Sequence, residues 1–223
     1  MGDAIGQMLA SAVGIALSPV PLIAMILMPA TPRGRANGLA FSAGWALALA
    51  AVITAVVLLG TGPDTPGPVP DWAWWLRLAL GALLLLMGAG QWRDRPREGH
   101  VHGPPRWMQT VDRLTPARAV GLAGGLMAAN PKNLVLAAGG ALSIATSTAT
   151  AGGRAVAVAL MVLIGSLCTL LPLGVQLFGG DGSARVLGEW RAWMSAHNSA
   201  ILIVVLVVLG AEYVGDAIAG LTT

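Results

Sequence analysis

Charge is scarce in these 223 residues. Only 10% are Asp, Glu, Lys or Arg, where a soluble domain carries about a quarter. Water alone would not solvate such a surface, which excludes a soluble enzyme or a soluble binding domain. Lysine is rarer still, with Lys132 the only one. Cys168 is the single cysteine and lies in an apolar run, so neither an intrachain disulfide nor a cysteine-built metal site can form. A buried, inert thiol is expected there. Missing too are a Ser-His-Asp set, a glycine-rich phosphate loop and paired acid–base carboxylates, so no enzyme activity and no cofactor are expected. No Asp or Glu stands in the middle of an apolar run, which argues against a carrier of hard cations that need oxygen ligands. The net charge of +3 would suit a nucleic-acid partner. That reading fails, because the arginines lie in short loops between apolar runs rather than on one soluble face.

Hydrophobic residues make up 56% of the chain. They gather in six runs, 5–28, 38–59, 73–91, 119–144, 155–178 and 199–220, each close to the roughly 20 helical residues that cross a hydrocarbon core of about 30 Å. The first run has no basic flank and no convincing cleavage site, and is expected to be a retained helix rather than a signal peptide. The linker 60–71 is rich in proline and glycine and holds no basic residue. The linker 92–118 carries Arg93, Arg95, Arg97, Arg106, Arg113 and Arg118, the first loop Arg33 and Arg35, and the last loop Arg185 and Arg191. With six spans all these loops fall on one side, leaving Arg77 and Arg154 near helix ends on the other. The bias of arginine toward the cytoplasm then puts both termini outside a bacterial inner membrane. Trp72, Trp74 and Trp75, and Trp190 and Trp193, read as interfacial anchors. His100 and His102 form a His-x-His in the arginine-rich linker. Two histidines do not make a metal site, and a solvated loop is the simpler reading. Ser42, Thr54, Ser166, Thr169 and Gln176 within the runs suit interhelical hydrogen bonds, while Gly34-x-x-x-Gly38 and Gly121-x-x-x-Gly125 permit close helix approach.

The two halves of the chain echo one another. Ser18-Pro19 is matched by Asn130-Pro131, Gly34-Arg35-Ala36 by Gly153-Arg154-Ala155, and Gly88-Ala89 by Gly210-Ala211, in the same order. Three spans per half is an odd number, so the halves would face opposite ways across the bilayer, a plan recurrent in transporters. The expected fold is an all-α integral membrane protein of six transmembrane helices in two inverted three-helix repeats. Residues 1–92 form the first repeat, 93–118 a cytoplasmic linker and 119–223 the second repeat.

Pro19 and Pro131 each fall near the middle of a run, where proline removes a helical hydrogen bond at a cost of about 3 kcal/mol. Each follows a good N-cap residue, Ser18 or Asn130, so the first and fourth helices are predicted to break there and restart as half-helices. Their free amides and partial positive charge would meet near the midplane. A pair of packing kinks is the plainer alternative, since Pro21 also bends the first helix. Lys132 directly follows Pro131. A cation at that depth costs about 2.5–3.5 kcal/mol on insertion scales, so it marks a functional candidate. Three roles are open to it: meeting an anionic substrate group, resting on freed backbone carbonyls, or sitting there uncharged. Glu212 and Asp216 would reach it only if the helices are offset.

Six spans, the first-helix stretch Ala16-Leu17-Ser18-Pro19-Val20-Pro21 and Asn130-Pro131-Lys132 in the fourth span resemble the lysine exporter superfamily. Within it, the chain is most similar to the actinobacterial glycopeptidolipid- and sulfolipid-addressing proteins. Ser18-Pro19-Val20-Pro21 departs from the Pro-Gly-Pro form of the amino-acid exporters. The resemblance implies an exporter or flippase-like protein that moves an envelope glycolipid or an anionic lipid-linked precursor. Candidate substrate-binding residues are Lys132, Asn130, Pro131, Asn133, Ser18 and Pro19, with Arg35 and Arg154 at the two mouths attracting anionic headgroups. Export of a small solute such as an amino acid or ion, and a non-transporting accessory role in an envelope-lipid export complex, are the alternatives. Expected partners are an anionic lipid or glycolipid, membrane lipids, a second copy of the chain, and envelope-lipid export machinery.

Overall fold

The computed structural model describes residues 2–31, 33–60, 69–93 and 114–222. His100, His102 and nearly all of the arginine-rich linker lie outside these residues, as does most of the linker 60–71. The described residues form nine α-helices: α1 (Gly2–Ala16), α2 (Pro19–Leu27), α3 (Gly34–Gly60), α4 (Asp71–Arg93), α5 (Pro116–Ala129), α6 (Pro131–Ala145), α7 (Ala151–Gly165), α8 (Leu167–Phe178) and α9 (Ser183–Thr222).

Local chemistry explains where these helices begin. Pro116 is the first residue of α5, behind Thr115, whose hydroxyl accepts from the Arg118 amide at 3.4 Å. Thr150 caps α7 in the same way, accepting from Gly153 N at 3.2 Å. Pro19 and Pro131 stand first in α2 and α6, where their missing N–H costs nothing. The breaks expected at both prolines are present, with α1 and α2 meeting at 42°.

Two expectations need correction. The run 155–178 is not one helix. It breaks at Ser166 into α7 and α8, which meet at 58°. Gly165-Ser166 is a pair that often kinks helices, and Pro172 inside α8 deprives one more carbonyl of its partner. Nor do Arg185 and Arg191 sit in a loop: both lie on α9, which runs for 40 residues. At 1.5 Å per residue that is ~60 Å, about twice a hydrocarbon core. Within it only Ala196–Thr222 has the length and apolarity of a span.

α3 and α4 also meet those criteria, and α1–α2 and α7–α8 do so when each bent pair is taken as one span. The protein is therefore helical and membrane-embedded. Its most extensive interfaces each join an element before residue 93 to one after residue 114: α4 with α9, α3 with α5 and α6, α1 with α6 and α7. Small residues allow these approaches. A Cβ on Gly44 would meet the Val120 backbone at 2.8 Å, and one on Gly81 would meet Val214 N at 2.9 Å. Gly38 packs against Met25 and Gln176, whereas Gly121 and Gly125 have nothing near them. Among the described residues, only the first of the two glycine pairs has a helix packed against it.

Candidate functional site

The two proline breaks meet in the interior. Ser18 and Asn130 hold the extended backbone of N-cap residues, yet neither side chain caps its helix. The Ser18 hydroxyl crosses to the other half and donates to Asn133 Oδ1 at 2.7 Å. Ser18, Lys132 and Asn133 are all buried, and Lys132 is 3% exposed. Its ammonium donates to the carbonyl of Gly14 in α1 at 3.0 Å. That carbonyl lacks its helical partner because Ser18 N turns instead to Ile15 O. Lys132 thus rests on a carbonyl freed by the break in the opposite half, not by Pro131 beside it. Only one of its three donors is used among the described residues.

A cleft of about 390 Å³ opens on this meeting point. Its walls include Pro19 from α2, Asn130, Pro131 and Lys132 at the start of α6, Gln91 at the end of α4, and Asn198 on α9. Asn198 Oδ1 in this lining, and Nδ2 of Asn133 next to Lys132 in sequence, are buried and have no hydrogen-bond partner among the described residues. Lys132 and the Asn198 acceptor line this open volume, and the Asn133 amide lies one residue behind the lysine, outside the lining. That set can receive an anionic or polyhydroxylated group.

Of the predicted residues, the structure brings together Ser18, Pro19, Asn130, Pro131, Lys132 and Asn133. It separates Arg35 and Arg154 from them. Arg35 is exposed in the first turn of α3 and lines a different pocket. Arg154 lies in the first turn of α7 with Nε buried and unpartnered. Gln91 and Asn198 belong to the cleft and were not singled out. Their only signal in sequence is amide chemistry at the edge of a run.

A second polar cluster was also missed. Arg77, buried in α4, donates to Ser143 Oγ, pairs with Asp216 at 3.5 Å and lies 5.7 Å from the centre of the Tyr213 ring. Tyr213 Oη in turn lies 2.6 Å from Ser11 Oγ. Asp216 therefore serves Arg77, and the offset that would bring it to Lys132 does not occur. Tyr213 is the only tyrosine in the chain and stands three residues from Asp216, which was the available clue. α4 and α9 run antiparallel, with Gly81 beside Val214 and Gly88 beside Leu206. The cluster fills one end of their interface, and the Lys132 cleft opens at the other.

A family model described as Sap, sulfolipid-1-addressing protein, matches residues 8–219. No curated protein and no solved structure matches the chain.

Proposed function

Because the chain belongs to the sulfolipid-1-addressing protein family, we propose that it moves an anionic envelope lipid, a sulfolipid or a related glycolipid or lipid-linked precursor, across the bacterial inner membrane. One observation carries the reading. The only lysine is buried where two broken helices meet, and it lines a cleft together with Asn130, Gln91 and the buried amide oxygen of Asn198. Buried intramembrane cations are costly, and their usual use is to meet a charge.

In this reading six spans cross the membrane, α1–α2, α3, α4, α5–α6, α7–α8 and α9, as two inverted repeats. Helix pairing supports the symmetry: α3 packs on α5 as α7 packs on α1, and α6 packs on α3 as α8 packs on α2. The third helices of the two halves, α4 and α9, are antiparallel neighbours, as a two-fold axis in the membrane plane requires. The Lys132 cleft lies toward the Arg93 end of α4, on the arginine-rich side. The Arg77–Ser143–Tyr213–Ser11 cluster closes the opposite end. Such an arrangement is one state of an alternating-access or flipping cycle, with the headgroup received from the cytoplasmic leaflet. The wider likeness to the lysine exporter superfamily is consistent with this plan.

The bond from Lys132 to Gly14 O favours a second reading, in which the lysine is structural and the chain is a non-transporting subunit of an export complex. Reconstitution separates the two. Vesicles holding this protein alone should move a labelled anionic glycolipid between leaflets, and the Lys132→Met variant should not. No movement by the wild-type protein, with movement restored only by further export components, would leave the accessory reading in its place.

A further inference from the structure

We infer that α2, α8 and α9 form a lateral site for an anionic membrane lipid, separate from the Lys132 cleft. Two openings lie one above the other on these helices. The first, about 500 Å³, is lined by Ile26 and Leu27 of α2, Gln176 of α8, Leu187 and Arg191 of α9, and Arg35 from the start of α3. The second, also about 500 Å³, is lined by Leu22 of α2, Leu167 and Leu171 of α8, and Trp190, Trp193 and Met194 of α9.

The order of residues along each helix gives the relative depth. On α2 the lining moves from Leu27 back to Leu22, toward the break at Pro19. On α8 it moves from Gln176 back to Leu167, roughly 13 Å of helix, toward the break at Ser166. On α9 the outer lining runs from Ser183 to Arg191 and the inner one from Trp190 to Met194, so the two meet at Trp190 and Arg191 and the inner one extends further from the helix start. All three paths lead from the arginine-bearing end toward the middle of the bundle. The outer opening holds two guanidinium groups, and the inner one is almost wholly apolar.

Neither Arg35 nor Arg191 has an ion-pair partner among the described residues. Glu189, the nearest acid in sequence on α9, is exposed and lines neither opening. Two guanidiniums with no ion-pair partner among the described residues, above an apolar slot, match a phosphate or sulfate ester carried on an acyl chain. The headgroup would lie between Arg35 and Arg191, and the chain would run past Leu22 and Leu171 between the tryptophans. A soluble anion would leave the inner opening empty. The groove between α1 and α9, lined by Leu9, Val13, Leu17, Val204 and Val208, carries no charge at any height and offers no such match.

The site rests on this face alone and is independent of Lys132 and of transport. Its test uses tryptophan quenching in phosphatidylcholine vesicles doped with phosphatidylglycerol or phosphatidylcholine that carries brominated acyl chains. The brominated anionic lipid should quench more than the brominated neutral lipid, and the excess should vanish in the Trp190→Phe/Trp193→Phe protein. In Arg35→Gln/Arg191→Gln the preference should fall about 5-fold per arginine, while quenching by the neutral lipid stays unchanged and reports intact insertion. Equal quenching by both lipids in the wild type, or an excess that survives removal of both arginines, would overturn the site.

Discussion

Ser11 Oγ and Tyr213 Oη lie 2.6 Å apart, although 202 residues separate them in the chain. Both are buried, Ser11 on α1 and Tyr213 on α9. Alongside the pair runs α6, whose Gly139 leaves room for the tyrosine ring and whose Gly140 faces Ser11. One phenol thus ties the first helix to the last across the second half, and Arg77 lies close to the ring. The bond is possible only because α6 is bare of side chains at that height.

A methyl group at Gly139 should therefore act quite differently from one at Gly121. At Gly139 the new Cβ would overlap the hydroxyl end of the Tyr213 ring, and the Tyr213 Cβ is itself held close to Gly81 of α4. Overpacking of this kind costs about 1–3 kcal/mol. Gly121 has nothing near it, so Gly121→Ala should be neutral or, from helix propensity, up to about 1 kcal/mol more stable. Thermal unfolding in detergent reads both. Matching effects at the two sites would show that Tyr213 does not seat on α6.

The link between the two breaks is measurable as a coupling. Ser18→Ala and Asn133→Ala each remove one side of the 2.7 Å bond, so the double variant should be less destabilised than the sum of the single ones. The shortfall should be about 0.5–1.5 kcal/mol. Additive effects would mean that the half-helices do not touch through these side chains.

Proline made part of this legible. Pro19 and Pro131 each follow a good N-cap residue in the middle of an apolar run, so the breaks at both positions can be read without a structure. The kink at Ser166 rests on a Gly-Ser pair in a chain with 30 glycines, where such pairs carry little signal. Lys132 stands out as the lone lysine, but its acceptor is a backbone carbonyl 118 residues away, which no side-chain pattern encodes. Ser18 was expected to cap its own helix. Its hydroxyl is drawn across the interface instead, because the extended backbone at the break points it at Asn133. The Arg77 cluster is invisible until α4 and α9 are paired, since its members come from four helices. The length of α9 was misjudged for a related reason: Arg185, Arg191 and the two tryptophans look like a loop, yet none of them forbids a helix.

Orientation is open to direct labelling. Cysteines introduced within 62–71 should react with a membrane-impermeant maleimide from outside intact cells, and cysteines within 93–106 should not. The native thiol, Cys168, is buried and should stay unlabelled in both. The reverse pattern would overturn the orientation drawn from arginine, and labelling of both segments from one side would overturn the span count.

Lys132 provides the sharpest test, because two opposing effects meet there. Replacing it by methionine strands the Gly14 carbonyl, and an unsatisfied buried group costs about 1–3 kcal/mol. The same change removes a cation whose place in the membrane costs about 2.5–3.5 kcal/mol. The two nearly cancel, so Lys132→Met should remain folded and inserted with a melting temperature close to wild type. If the ammonium also receives an anionic headgroup, this stable variant should have lost lipid binding and movement. Lys132→Arg should fare poorly as well, because the planar guanidinium does not fit where a compact ammonium meets Gly14 O. A purely structural lysine predicts another pattern, with stability and function falling together. Thermal unfolding measured beside a lipid-binding assay distinguishes them. A stable methionine variant with full activity would remove Lys132 from the mechanism.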